Sequence, residues 1–315
     1  MTDSTNISLT TLPDEFYNQD DSDNRCFLCN KPNYELQYHV DHFEFKFDFK
    51  RCQCGLIKQT PMPNDKFFEW FFNSDSFFDA KKTDNEEIWG YYDYFKDESS
   101  RIATSTRRYK KLRKYFESTG KPMRVMKIGP ASGTMLHVAK SNGHIVRGCD
   151  ISERFAAYAR ENYGVEIDNG RYEKMNYGEG VFDMVLLLNV IENVPNQEEF
   201  LTAIHKTLSP GGYFISNFVD MHNNLVAALQ KSKYFLYRPP ICYIYTMEVY
   251  KRILEKFGFK IIEVRRDVRY MHLEKISTLL RWKLLQKGSA SMKINRINFP
   301  IYAYPSKIVI AQKVS

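Results

Sequence analysis

The chain has 315 residues, of which 43% are hydrophobic and 26% charged, with a net charge of +7. These are the proportions of an ordinary globular protein, long enough for one large domain and a small module. They exclude a transmembrane span, because no apolar run approaches the ~18 residues one needs. The modest positive charge permits an anionic partner without demanding one.

Residues 1–24 are rich in Asp, Asn, Ser and Thr and predict a disordered tail. They lack the basic-then-apolar pattern of an export signal, which points to the cytosol. Cys26, Cys29, Cys52 and Cys54 form two close pairs, while Cys149 and Cys242 stand alone. Without an export signal, this pattern favours metal over disulfides. Between the pairs, Phe43, Phe45, Phe47 and Phe49 alternate with polar residues, a strand of period two. Two cysteine-bearing turns joined by a strand predict a zinc ribbon over 25–63, four thiolates around a tetrahedral ion. The ion would be structural, since a closed four-Cys site leaves no open position, and it would supply the folding energy of a module too small for a core. The second pair is C-x-C rather than the commoner C-x-x-C, so reduced structural thiols or a pair without metal are the alternatives.

Pro61-Met62-Pro63 forms a rigid exit. Residues 64–120 form an aromatic-rich helical linker or cap, with FFEWFF and IWGYYDYF. Those rings either pack against the next domain or wall a substrate site. A helix is predicted over 97–118, its basic run RRYKKLRK forming a solvated face rather than a nucleic-acid site. Strands and helices then alternate. Strands are predicted over 124–128, 145–149, 165–167, 182–188, 213–218, 259–264 and 308–312. Helices are predicted over 132–141, 152–162, 196–208 and 247–257, with a break at Ser209-Pro210-Gly211-Gly212. Residues 271–287 read as a basic amphipathic helix for core or dimer packing, or for a membrane surface. The alternation predicts an α/β fold with a parallel sheet buried on both faces. Ligands in such sheets sit beyond the carboxyl ends of the strands, near the reversal of strand order. Gly129, Asp150 and Asn189 fall at such ends. VMKIGPASGT, around Gly129, reads as strand, glycine turn, helix. Asp150 follows Gly129 by 21 residues and ends the second strand, where a carboxylate can accept from two ribose hydroxyls.

In order and spacing, KIGPASG, GCDIS at 148–152, FDMVLLLNVIENV at 182–194, LSPGGYFISN at 208–217 and the late EKFGF resemble the motifs of class I S-adenosylmethionine-dependent methyltransferases. RCQCGLIKQTPMP is similar to the ribbon exit of bacterial sugar and small-molecule methyltransferases with an N-terminal zinc ribbon. The resemblance implies a Rossmann-like, mostly parallel sheet of seven strands within 121–315, with lid segments 220–245 and 267–305. It implies S-adenosyl-L-methionine as cofactor and structural zinc. Gly129, Ala131 and Gly133 would line its methionine part, Asp150 would hold the ribose, Asn189 would stand beside the sulfonium, and residues 172–177 would meet the adenine.

Three positions depart from the family pattern. Lys127 replaces an acidic residue, so that a cation there would repel the ligand's ammonium and sulfonium by about 1–4 kcal/mol at 4 Å, or else reach its carboxylate. Ala131 replaces the middle glycine, which its methyl tolerates where its dihedrals stay ordinary. Asn193 replaces a frequent His and cannot act as a general base. His222 is the candidate base, and Tyr243 and Tyr245 either orient the acceptor or simply pack. His137, His144 and His205 read as surface or packing residues.

The expected reaction is O-methylation of a sugar or other small polar metabolite, in cell-surface glycan or secondary-metabolite biosynthesis. The expected partner is therefore a small molecule, a sugar or sugar conjugate, with no stable nucleic acid; a homo-oligomer is compatible with this. Rival readings are an RNA methyltransferase with a zinc ribbon, and a binding or scaffold protein in which Lys127 and Asn193 have removed turnover.

Overall fold

A computed structural model describes residues 14–18, 25–32, 34–42, 45–78, 94–222, 224–231, 236–272 and 298–314. Between the two cysteine pairs the chain makes a hairpin rather than the single strand expected. β1 (Tyr34–His42) pairs antiparallel with β2 (Phe45–Cys52), so the alternating Phe run straddles the turn and Phe43 lies outside the described residues. Phe47 and Phe49, two apart on β2, share one buried face. β3 (Ile57–Thr60) continues the sheet beside β2.

Next come α1 (Asp65–Asn73) and α2 (Asp75–Phe78). The Asn64 side chain accepts from the Phe67 N–H at 3.2 Å and caps α1. Residues 14–18, inside the expected tail, fold onto this helix: Phe16 is buried against Phe67 and Trp70. α3 (Glu98–Phe116) follows. Its basic run is not wholly solvated, because Arg108 turns inward while Lys110, Lys111, Arg113 and Lys114 stay exposed or carry surface pairs.

The main sheet then builds from β4 (Arg124–Ile128), α4 (Thr134–Ser141), β5 (Ile145–Asp150), α5 (Glu153–Tyr163), β6 (Ile167–Asn169), β7 (Phe182–Leu187), α6 (Gln197–Thr207), β8 (Leu208–Val219), α7 (Leu225–Gln230), β9 (Tyr243–Ile244), α8 (Met247–Lys256), β10 (Phe259–His272) and β11 (Asn298–Lys313). Seven strands run in the order β10-β11-β8-β7-β4-β5-β6. The five from β8 to β6 pair in parallel, and β11 is antiparallel to both β8 and β10. This is the mostly parallel, Rossmann-like α/β sheet that the sequence implies. The predicted break at 209–212 is instead a bulge: Phe182 faces Leu208 and Met184 faces Tyr213, so those residues stand opposite Asp183. β10 and β11 are far longer than expected. Met271 and His272 belong to a strand, and the remainder of the expected 271–287 helix lies outside the described residues.

Strand alternation splits the core. Met126, Val185, Leu187 and Phe214 face a cluster that also contains the ribbon's Phe47, Phe49 and Ile57, whereas Val125, Met184, Leu186 and Ile215 face α3 and α4. β9 pairs with β3, Ile57 opposite Ile244 and Lys58 opposite Tyr243, so part of the expected 220–245 lid is a strand of the ribbon sheet. Among the described residues no helix is long and apolar enough to cross a membrane.

Candidate functional site

From β4 the chain moves outward to β5 and β6, then returns to β7 on the other side of β4. That reversal opens a crevice beyond the strand ends. Gly129 is the first residue past β4, at φ 58, and a Cβ there would lie 2.5 Å from Val190 Cγ2, so only glycine fits. Gly133, at φ 85, starts α4, and a Cβ would meet that of Ala159 at 2.8 Å. It serves this close helix packing and does not line the cavity. Ala131 stands at φ 51, in the left-handed region, so the condition under which its methyl is tolerated freely is not met, at a cost of about 1–2 kcal/mol. Its N–H donates to Asp150 Oδ2 at 3.0 Å, which helps to hold it there.

Asp150 Oδ1 accepts from the Ser152 N–H at 3.0 Å. Burial pushes the Asp150 carboxyl up, opposed by these N–H groups and by the charge of Lys127. Each oxygen keeps acceptor capacity. Asp150 lines a cavity of ≈220 Å³ together with Gly129, Ala131, Asn189, Tyr172 and Asn193. Its opposite wall comes from the cap: Phe68 and Phe72 of α1, then Phe77 and Tyr94, meeting Phe155 of α5. The aromatic segment thus does both things weighed above, with Phe67 and Phe71 packing while Phe68 and Phe72 reach the cavity. Arg171 and Glu173 also line it, beyond β6. Arg171 pairs with Asp65 at 2.7 Å and with Glu173 at 3.0 Å. Sequence reasoning passed over Arg171, although the strand-end rule that selected Asp150 applies equally after β6. A carboxylate with free acceptor capacity, a glycine-tight strand end and a ring-lined wall together fit a nucleoside.

Lys127 is 3% exposed and on the α3 side of the sheet, with Val125. Its Nζ donates to the Ile128 carbonyl at 2.6 Å and the Gly129 carbonyl at 2.9 Å, and it does not line the cavity. Burial pushes its pKa down to about 7, with the Asp150 charge opposing and Arg108 assisting. Asn189, exposed at the cavity at φ 59, accepts through Oδ1 from Asn217 Nδ2 at 3.0 Å and from Arg269 Nη2. Asn217 also donates to Asp267 Oδ2 at 3.2 Å, and Asp267 is held by both arms of Arg108, at 3.0 and 2.5 Å. None of these partners was legible as a site residue; Arg108 and Asp267 are 159 residues apart in sequence.

The proposed catalytic residues are not brought to this cavity. His222 is exposed after β8. Tyr243 and Tyr245 are buried where β9 joins the ribbon sheet, their hydroxyls donating to the carbonyls of Pro195 at 3.2 Å and Ile191 at 3.3 Å. Asn193 lines the cavity, with its amide donating to the Pro240 carbonyl at 2.9 Å.

In the ribbon the Sγ atoms of Cys26, Cys29, Cys52 and Cys54 lie within 4.8 Å of one another, with Cys26–Cys54 at 3.6 Å and Cys29–Cys52 at 3.4 Å. A tetrahedral zinc with Zn–S of about 2.3 Å needs sulfurs about 3.8 Å apart, so the four thiols fit such an ion.

Fold and strand-end site together define a class I methyltransferase. The chain belongs to the family described as "Methyltransferase domain", whose model matches residues 100–264. S-adenosyl-L-methionine is the cofactor of these enzymes. Norajmaline N-methyltransferase of Rauvolfia serpentina is 30% identical over 127 residues, which are 38% of this chain and 43% of that protein. Demethylmenaquinone methyltransferase of Chlorobaculum tepidum is 28% identical over 132 residues, 41% of this chain and 52% of that one. The chain thus spans about half the length of these curated relatives. Among solved structures, a SAM-dependent methyltransferase from Archaeoglobus fulgidus matches with TM-score 0.48 and 19% identity, over 70% of this chain and 99% of the other. Magnesium protoporphyrin IX methyltransferase from Synechocystis, with bound S-adenosylhomocysteine, matches with TM-score 0.44 and 16% identity, over 68% and 84%.

Proposed function

We propose that this chain transfers a methyl group from S-adenosyl-L-methionine to a hydroxyl of a small polar metabolite, a sugar or sugar conjugate. The observation that carries the methyltransferase reading is Asp150, buried at a strand end with both oxygens steadied by backbone N–H groups and facing a ring-walled cavity. The sugar acceptor rests on the sequence resemblance. A cavity of this volume walled by the cap's rings favours a small acceptor over a folded RNA.

When bound, the cofactor supplies an electrophilic methyl on a sulfonium. Asp150 would accept from the ribose hydroxyls. Phe72, Phe77 and Tyr94 would cover the nucleoside and exclude water, and Gly129 would let the backbone approach it. With a thioether leaving group, the chain's main tasks are alignment of acceptor and sulfonium and removal of one proton from the acceptor hydroxyl. Zinc on the four cysteines would be structural.

Titration calorimetry with S-adenosylmethionine and S-adenosylhomocysteine tests the cofactor, and transfer of labelled methyl to nucleotide-linked sugars or to total RNA tests the acceptor. Absence of cofactor binding at millimolar concentration refutes the enzyme reading. Labelled RNA with unlabelled sugars refutes the acceptor class.

A further inference from the structure

The ends of β4 and β7 flank the part of the cavity where, on the reading above, the amino-acid end of the cofactor lies. That end is a zwitterion, with an ammonium that needs acceptors and a carboxylate that needs donors. We infer that this site recognises the carboxylate and leaves the ammonium unread, with Asn189 as the specificity-determining donor and Lys127 as the residue that removes the competing acceptors. The inference rests on the S-adenosylmethionine reading.

Several acceptors near these strand ends already hold a donor of the chain. Lys127 Nζ holds the carbonyls of Ile128 and Gly129, so a ligand ammonium donating to either would share it with a second amine. Asp267 is held in a bidentate pair by Arg108, its side chain 0% exposed. Glu192 is buried and accepts from the Val219 N–H at 3.0 Å. Asn189 is fixed in one orientation: its N–H donates to Asn217 Oδ1 at 2.5 Å, and its own Oδ1 accepts from both Asn217 and Arg269. With the amide oxygen doubly occupied, the Nδ2 group is the polar end that this exposed side chain has left for a ligand of the cavity it lines. A donor at that position suits an oxygen and offers nothing to an ammonium. Asn217, Asp267 and Arg269 act through Asn189 and are positioning residues.

Two truncated analogues of S-adenosylhomocysteine test this by calorimetry on the full chain. 5′-Deoxy-5′-(3-carboxypropylthio)adenosine lacks the ammonium, and 5′-deoxy-5′-(3-aminopropylthio)adenosine lacks the carboxylate. The carboxypropyl compound should bind within about fivefold of S-adenosylhomocysteine and the aminopropyl compound at least about 30-fold more weakly, the worth of a charge-assisted hydrogen bond. Asn189→Asp, an exposed substitution, should narrow the difference between the two by about tenfold or more. The reverse order, or equal losses, overturns this inference while leaving the cofactor assignment intact, as does an unchanged preference in Asn189→Asp. Failure of S-adenosylhomocysteine itself to bind overturns both.

Discussion

Replacing Lys127 by Met removes a buried amine and keeps a side chain of similar length. The wild-type pKa falls from 10.5 to about 7 because burial disfavours the charged form. At 1.36 kcal/mol per pH unit, that is a penalty of about 5 kcal/mol for keeping the charge folded. The folded pKa lies below the unfolded one. Below about pH 7 the amine is charged in both states and the full penalty stands; as pH rises from 7 towards 10.5 only the unfolded chain keeps the proton, so stability rises. Met loses two hydrogen bonds to the carbonyls of Ile128 and Gly129, each worth about 1 kcal/mol. At pH 7 Lys127→Met should therefore be the more stable protein, by about 3 kcal/mol. The gap should close by about 3 kcal/mol on going to pH 9.5, because wild type gains there and the variant does not. Urea unfolding of both proteins at the two pH values, in one chelator-free buffer, measures the difference. Stability differences that agree within about 0.5 kcal/mol at both pH values would refute a buried, pH-titrating amine.

Asp150→Asn keeps an acceptor for backbone N–H groups but removes the charge from the ribose side, so S-adenosylhomocysteine affinity should fall about 30-fold with far-ultraviolet circular dichroism unchanged. Phe72→Ala opens the aromatic wall and should weaken the same ligand about tenfold by calorimetry. His222→Ala, exposed and off the cavity, should leave kcat for methyl transfer within about threefold of wild type; a loss of about 100-fold would place an acceptor-side base at His222. Cys52→Ser should lower bound zinc from about one ion per chain to less than about 0.2 by elemental analysis, with a lower melting temperature.

Asp150 and Gly129 were legible because each is fixed by a single strand end, and strand ends announce themselves through apolar runs closing on small or acidic residues. Lys127 was legible as an oddity of charge, but its role was not. Strand alternation sends it towards α3, and only the fold shows that its amine curls back onto its own strand's carbonyls. The pair Arg108–Asp267 joins a helix to a strand whose length the sequence understates, so a basic face looked solvated. Tyr243 opens a two-residue strand, β9, too short for any periodicity to reveal, and Tyr245 follows it in an isolated bridge to Asp220. Phe68 and Phe72, four apart on α1, did carry a readable signal: one helix face with two rings. What it could not say was whether that face met core or ligand, since both want the same rings.

The cysteine-bearing sheet and the cavity share no lining residue, yet one buried cluster joins them. Phe47, Phe49 and Ile57 of the ribbon belong to the same buried cluster as Ile128, Leu187 and Tyr172 at the strand ends. α1, which brings Phe68 and Phe72 to the cavity, begins a few residues after β3, and β3 is paired to β9. Cys242 N donates to the Glu192 carbonyl at 2.7 Å, tying the β9 segment to the loop after β7 that carries Asn189. A small module without a core of its own is most sensitive to its metal, and here its strands anchor both the aromatic wall and the loop beneath it. Zinc loss should accordingly act on cofactor affinity through the wall, at a distance from the four thiols. The ribbon is then part of how the site is built rather than an appendage to it.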